Sequence, residues 1–159
     1  MEELLAVDAG LRTGFALYGR EGRLLWYGSK HLGNRTSLRR AVRTFLAGRP
    51  RLRWLVVEGG GGPGELWIHE ADRIGIGTMM ISAEEWRDVL LYRRERRTGA
   101  GAKRSAVSMA LQVIAWSQLP LPNRLGEDAA EAVLAGLWAV LRVGWIPSVP
   151  GEIRNIRTR

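Results

Sequence analysis

The sequence contains no cysteine, which excludes disulfides and cysteine-based zinc sites. Lysine is almost missing: of 24 basic residues only Lys30 and Lys103 are lysines, and the other 22 are arginines. Side-chain amides occur only at Asn34, Asn123, Asn155, Gln112 and Gln118, a scarcity in keeping with a thermophilic source. The two histidines, His31 and His69, show no metal-ligand spacing. There is no long hydrophobic run. The most apolar stretch, AVLAGLWAVL at 132–141, is about half a membrane span and is bracketed by Glu131 and Arg142. The acidic start MEELL lacks a signal-peptide pattern. These absences lead to the expectation of a soluble cytoplasmic protein with no membrane partner.

What is present is more pointed. The 159 residues suffice for one domain with a real core, and 46% apolar with 25% charged residues is ordinary for a globular chain. A formal charge of +8 is not ordinary and points to a polyanion, most often nucleic acid. Arginine suits bidentate phosphate contact, although codon bias in a GC-rich genome gives the same skew.

Apolar runs at 3–10, 15–20, 22–32 and 53–59 read as strands, the second and third joined by a hairpin at Arg20-Glu21-Gly22. A short strand is expected at 78–82. Helical spacing marks 36–48, 65–75, the stretch opened by the Ser82/Glu85 capping box, 105–119 and 127–144. GGGGPGE reads as a flexible loop, and RRERRTGAGAKRS (93–105) as a basic, glycine-containing loop whose Arg93, Arg94 and Arg97 are candidate phosphate contacts. The domain is expected over 1–146, followed by a basic, frayed tail at 147–159. The order predicts an α/β fold with a mixed five-stranded sheet: a three-strand antiparallel meander, then parallel strands reached by helical crossovers.

If strands 1 and 4 are parallel neighbours, the carboxylates that end them, Asp8 in LLAVDAG and Glu58 in WLVVEG, come together. Asp128 and Glu131, three residues apart near a helix start, share one helix face. A lone acid there is explained by the helix dipole. Several converging acids repel one another, and a divalent ion removes the conflict. Hard oxygen donors suit Mg²⁺ or Mn²⁺, and two such ions about 4 Å apart suit phosphodiester hydrolysis.

Four stretches, VDAGLRTGFAL, VVEG, TGAGAKRSAV and DAAEAVLAGLWA, occur in an order and spacing that resemble the RuvC-type Holliday junction resolvases of the ribonuclease H-like superfamily. The resemblance spans nearly the whole chain. It implies a Mg²⁺-dependent endonuclease, with Mn²⁺ able to substitute, that resolves four-way DNA junctions as a homodimer. It implies Asp8, Glu58 and Asp128 as metal ligands, with Glu131 in a fourth acidic place usually held by Asp. Arg87 falls where the family often has a DNA-facing basic residue, and Lys103 and Arg104 compete for the lysine beside the scissile phosphate. Ala9 replaces the usual proline. The junction-inserting aromatic has no clear match: Trp67 stands for that role or for an ordinary core tryptophan. The helix at 65–75, with Trp67, Ile68 and Ile74, is a candidate dimer interface. The divergent glycine run suggests a distant phage or thermophile branch. Three other readings remain: an actin-like kinase, for which the chain is too short, a related nuclease with another substrate, and a non-catalytic DNA-binding module.

Overall fold

Strand alternation sends neighbouring residues of β1 (Glu3–Asp8) to opposite faces of the sheet. Leu4 and Ala6 enter one buried cluster, and Leu5 and Val7 enter another. A strand apolar on both faces belongs at the centre of a sheet covered on both sides, and β1 lies there. The computed structural model describes residues 1–10 and 12–155, with only the backbone of Arg154 and Asn155. The sheet order is β3-β2-β1-β4-β5, with β2 (Arg12–Gly19) and β3 (Leu24–His31) completing the antiparallel meander. β4 (Leu52–Glu58) and β5 (Gly77–Ile81) run parallel to β1. The expected mixed five-stranded sheet flanked by helices is the observed one.

Helices α1 (Arg35–Ala47) and α2 (Gly62–Arg73) serve as crossovers and cover the Leu5/Val7 face. On the other face lie α3 (Ala83–Leu90), α4 (Gly99–Trp116) and α5 (Glu127–Arg142). The deepest of these is α5, whose residues Ala132 to Gly136 are all buried. Helix α5 lies directly on the sheet because two glycines permit it. A Cβ on Gly136 would come within 2.3 Å of the Tyr18 ring, and one on Gly14 would sit 2.0 Å from the Asp128 carbonyl oxygen. The Tyr18 hydroxyl, deep under α5, donates to the Val133 carbonyl at 2.5 Å.

Three local expectations change. Most of the stretch 93–105 is helical: a 3-10 turn spans Arg93–Arg96, and α4 starts at Gly99 behind Thr98, whose side chain accepts from Gly101 N–H at 2.9 Å. Lys103 and Arg104 therefore stand on a helix, not on a loop. The run GGGGPGE is in part the first turn of α2, where Pro63 fits because no N–H is needed there. In the tail, Gly151–Asn155 form a short helix, α6, whose Ile153 is fully buried. Burying such a side chain stabilises by about 1.5–3 kcal/mol, which opposes fraying. Residues 156–159 of the expected tail lie outside the described residues.

Candidate metal centre and its basic surroundings

Asp8 and Glu58 face each other across β1 and β4 because the two strands run parallel in register, Ala6 beside Val56, Val7 beside Val57, Asp8 beside Glu58. Parity places both side chains on the α5 face, with Leu4, Ala6 and Val56. Beyond them the two chains stay in contact, Ala9 N–H donating to the Glu58 carbonyl at 2.9 Å. Gly59 is required at that point: its φ is +104°, and a Cβ would lie 2.9 Å from the Ala9 oxygen.

From above, the first turns of α5 bring Asp128 and Glu131. Gly14 pairs with Asp8 in the neighbouring strand, so the missing side chain that admits the Asp128 backbone lies next to the carboxylates. Asp8, Glu58 and Glu131 each offer an oxygen within 4.8 Å of the other two. Asp128 stands beside this group, partly exposed, with Oδ2 at 3.8 Å from Arg12 Nε. The longer glutamate thus reaches the centre, and the shorter aspartate stays at its rim.

The electrostatics are those of acids crowded out of water. Burial pushes Asp8 up to about 8, helped by the charges of Glu58, Glu131 and Asp128 and by a hydrogen bond with Glu131. Burial also raises Glu58 to about 7, with Glu131 adding, while the Trp86 indole and Arg87 pull the other way. Glu131 is raised chiefly by burial, against the attraction of Arg87 and Lys103. Glu58 Oε2 is buried and has no hydrogen-bond partner. An orphaned buried carboxylate oxygen beside two other acids is a cost that a cation would remove. The three carboxylates could coordinate a metal ion, and the donor set is all oxygen.

Arg87 does not stand out into solvent. It is about 20% exposed, lies over the Trp86 ring, and pairs with Glu131 at 3.5 Å. Lys103 is exposed and reaches Glu127 at 3.4 Å, one residue before Asp128. Its charge acts on Glu131, and Arg104, the next residue on α4, is also exposed. Arg93, Arg94 and Arg97 are exposed on or just after the 3-10 turn, Arg94 lying over Tyr92. Trp67 is 1% exposed and packs edge-on to Phe15 and Phe45, so it is a core residue and not a junction-inserting one. Sequence reasoning missed Arg12, Trp86 and Gly14. The basic residue in GLRTG was a signal for the first; the other two depend on contacts between distant segments.

No protein-family model matches the sequence, and no curated protein matches it significantly. Solved structures do. The chain is similar to the fowlpox virus Holliday junction resolvase, with a TM-score of 0.64 at 12% identity over 89% of this chain and 99% of that one. It is similar also to the yeast mitochondrial Holliday junction resolvase, with a TM-score of 0.52 at 12% identity over 98% of this chain and 83% of that one. At such identities the likeness establishes the fold, which is ribonuclease H-like. Among the described residues no helix is long and apolar enough to cross a membrane.

Proposed function

We propose that the protein is a Mg²⁺-dependent endonuclease that resolves four-way DNA junctions as a homodimer. The observation that carries this reading is the convergence of Asp8, Glu58 and Glu131 within 4.8 Å at the end of two parallel strands. These residues would hold the ion, with Asp128 as a fourth acid beside them. When bound, Mg²⁺, or Mn²⁺ in its place, would activate water and stabilise the leaving oxygen in phosphodiester hydrolysis.

The chain's own side chains supply the rest. Arg87, packed on Trp86, holds Glu131 in place. Lys103, exposed and ion-paired to an exposed Glu127, can turn to a phosphate oxygen, with Arg104 next to it. Arg93, Arg94 and Arg97 extend the cationic surface along the turn before α4. The junction itself is supported by the likeness to two proteins described as Holliday junction resolvases. A junction with two-fold symmetry asks for two copies of one site.

The test is to incubate the protein with labelled four-way junction, duplex, flap and RNA–DNA hybrid, each with and without Mg²⁺. Paired nicks in the junction, only with the ion, are expected. Preferential cutting of the hybrid would assign a different substrate, and binding without any cutting would leave a DNA-binding module.

A further inference from the structure

On the other face of the sheet, β3 and α1 enclose a groove of about 820 Å³ that the metal centre does not use. Its apolar wall is a set of rings. Phe15 stacks on Phe45 at 5.3 Å, and Trp26 leans against both at 6.0 and 6.3 Å. Trp26 is 41% exposed, an unusual position for the largest apolar side chain on an edge strand. Among the described residues Lys30 and Arg40 are the charged side chains lining the groove, and Arg49 lies over the Phe45 and Trp26 rings at 4.3 and 5.7 Å, a third cation beside the stacking face. An adjoining hollow on α1 adds Arg35 and Arg39. Lys30, Arg35, Arg39 and Arg40 are exposed, and none has an acidic partner among the described residues. Helix α1 has no acid in its first turn, so Arg35 adds positive charge to the positive end of the helix dipole.

We propose that this groove binds an unpaired nucleic-acid strand, with a base stacked on Trp26 and its phosphates held by Lys30 and Arg40. Aromatic faces take any base, and cations beside them track the backbone; the combination is the requirement for single-strand binding. A second copy of the chain is a poorer occupant, since a two-fold contact would set one cluster of unpaired cations against its twin. The location also fits. Ser29 lies in the same row of the sheet as Gly14 and Asp8, two strand spacings or roughly 10 Å away, on the edge strand whose opposite face carries Trp26 and Lys30. Arg12 bridges the interval, donating from Nε to Ser29 Oγ at 3.3 Å and lying 3.8 Å from Asp128. A strand leaving the carboxylates past Arg12 reaches β3, the edge strand, and enters the groove by passing round that edge to the other face.

The inference takes its ligand class from the proposed function but does not depend on cleavage, so the test is run without metal. Fluorescence anisotropy with a labelled oligo-dT and with a duplex of equal length would be measured for the unaltered chain, Trp26→Leu, and Lys30→Ala/Arg40→Ala. Trp26→Leu keeps an apolar side chain on the ring cluster and removes the stacking face. It is expected to weaken oligo-dT binding about 10-fold or more while leaving the duplex within about 2-fold. The double variant should flatten the log–log salt dependence for oligo-dT by roughly 1.4, at about 0.7 per lost contact. Unchanged oligo-dT affinity in Trp26→Leu, or equal losses for both ligands, would overturn the proposal. So would a dimer that light scattering shows to dissociate on Trp26→Leu, which would give the groove to a second copy.

Discussion

Asp8 illustrates how a residue can be costly to the fold and still fit its place. Alone at the end of β1 it would be a buried charge with water removed from one side. Beside Glu58 and Glu131 it becomes one of three oxygen donors, and its repulsion from them is the feature a cation would relieve. Asp8→Asn, Glu58→Gln and Asp128→Asn are expected to abolish junction cleavage and leave junction binding nearly intact, because affinity rests on phosphate contacts. Gel-shift and nicking assays on the same preparations check this, and joint loss of both activities in a folded variant would count against it. Glu131 sits inside the cluster, so Glu131→Asp should retain partial activity. Glu131→Ala should raise the Mg²⁺ requirement roughly 10-fold or more, in the range of lost metal contacts. Normal metal dependence in Glu131→Ala would reduce that residue to an acid favoured by the helix dipole.

Among the elements, α5 decides whether the acids meet. Its seat on the sheet depends on Gly14 and Gly136, and Gly14 lies against the same turn that carries Asp128. Gly14→Ala forces a carbon to within 2.0 Å of a backbone oxygen, so either β2 or the start of α5 must move. The expected cost is about 1–3 kcal/mol, seen as a fall in Tm of roughly 3 °C per kcal/mol. Cleavage should fall further than junction binding, because the displaced turn carries Asp128 and Glu131. An alanine variant with normal Tm and normal cleavage would show that α5 is not seated as described. The pairing of Asp8 with Glu58 was legible in the sequence, since two apolar strands each end in an acid and a helical crossover makes them parallel. The seat of α5 was not, because a glycine in a strand does not reveal which distant helix approaches it. The start of α4 was misread for a related reason. Glycines at 99 and 101 suggest a loop by propensity, but the Thr98 cap and the burial of Ala102 and Ala106 outweigh it. Trp67 could be read either way from its spacing alone; the stacked pair Phe15 and Phe45, which it meets edge-on, is what places it in the core.

At the scale of the whole molecule, the net charge of +8 coexists with a cluster of acids at the C-terminal ends of two inner strands, and the two have opposite consequences for stability. The surface cations favour a polyanion, whereas the acids make the metal-free protein sensitive to pH. The sign follows from the raised values. Between about 4, where an unfolded aspartate ionises, and about 8, where Asp8 ionises in the folded chain, the folded state binds more protons than the unfolded state. Stability of the metal-free protein should therefore fall as pH rises through this interval, and Glu58, raised to about 7, adds to the fall. Scanning calorimetry in EDTA between pH 5 and pH 8 measures it. Asp8→Asn removes the largest contribution and should raise Tm at pH 8 by at least about 3 °C, the shift expected from 1 kcal/mol in a chain of this size. A saturating divalent ion binds only the folded cluster, so Mg²⁺ should raise Tm at pH 8 far more than at pH 5, where protons compete for the same oxygens. Asp8→Asn should lose most of that metal-dependent gain. If Tm in EDTA is flat across the interval and Mg²⁺ leaves it unchanged at pH 8, the acids are not coupled as their geometry requires, and the metal centre fails with them.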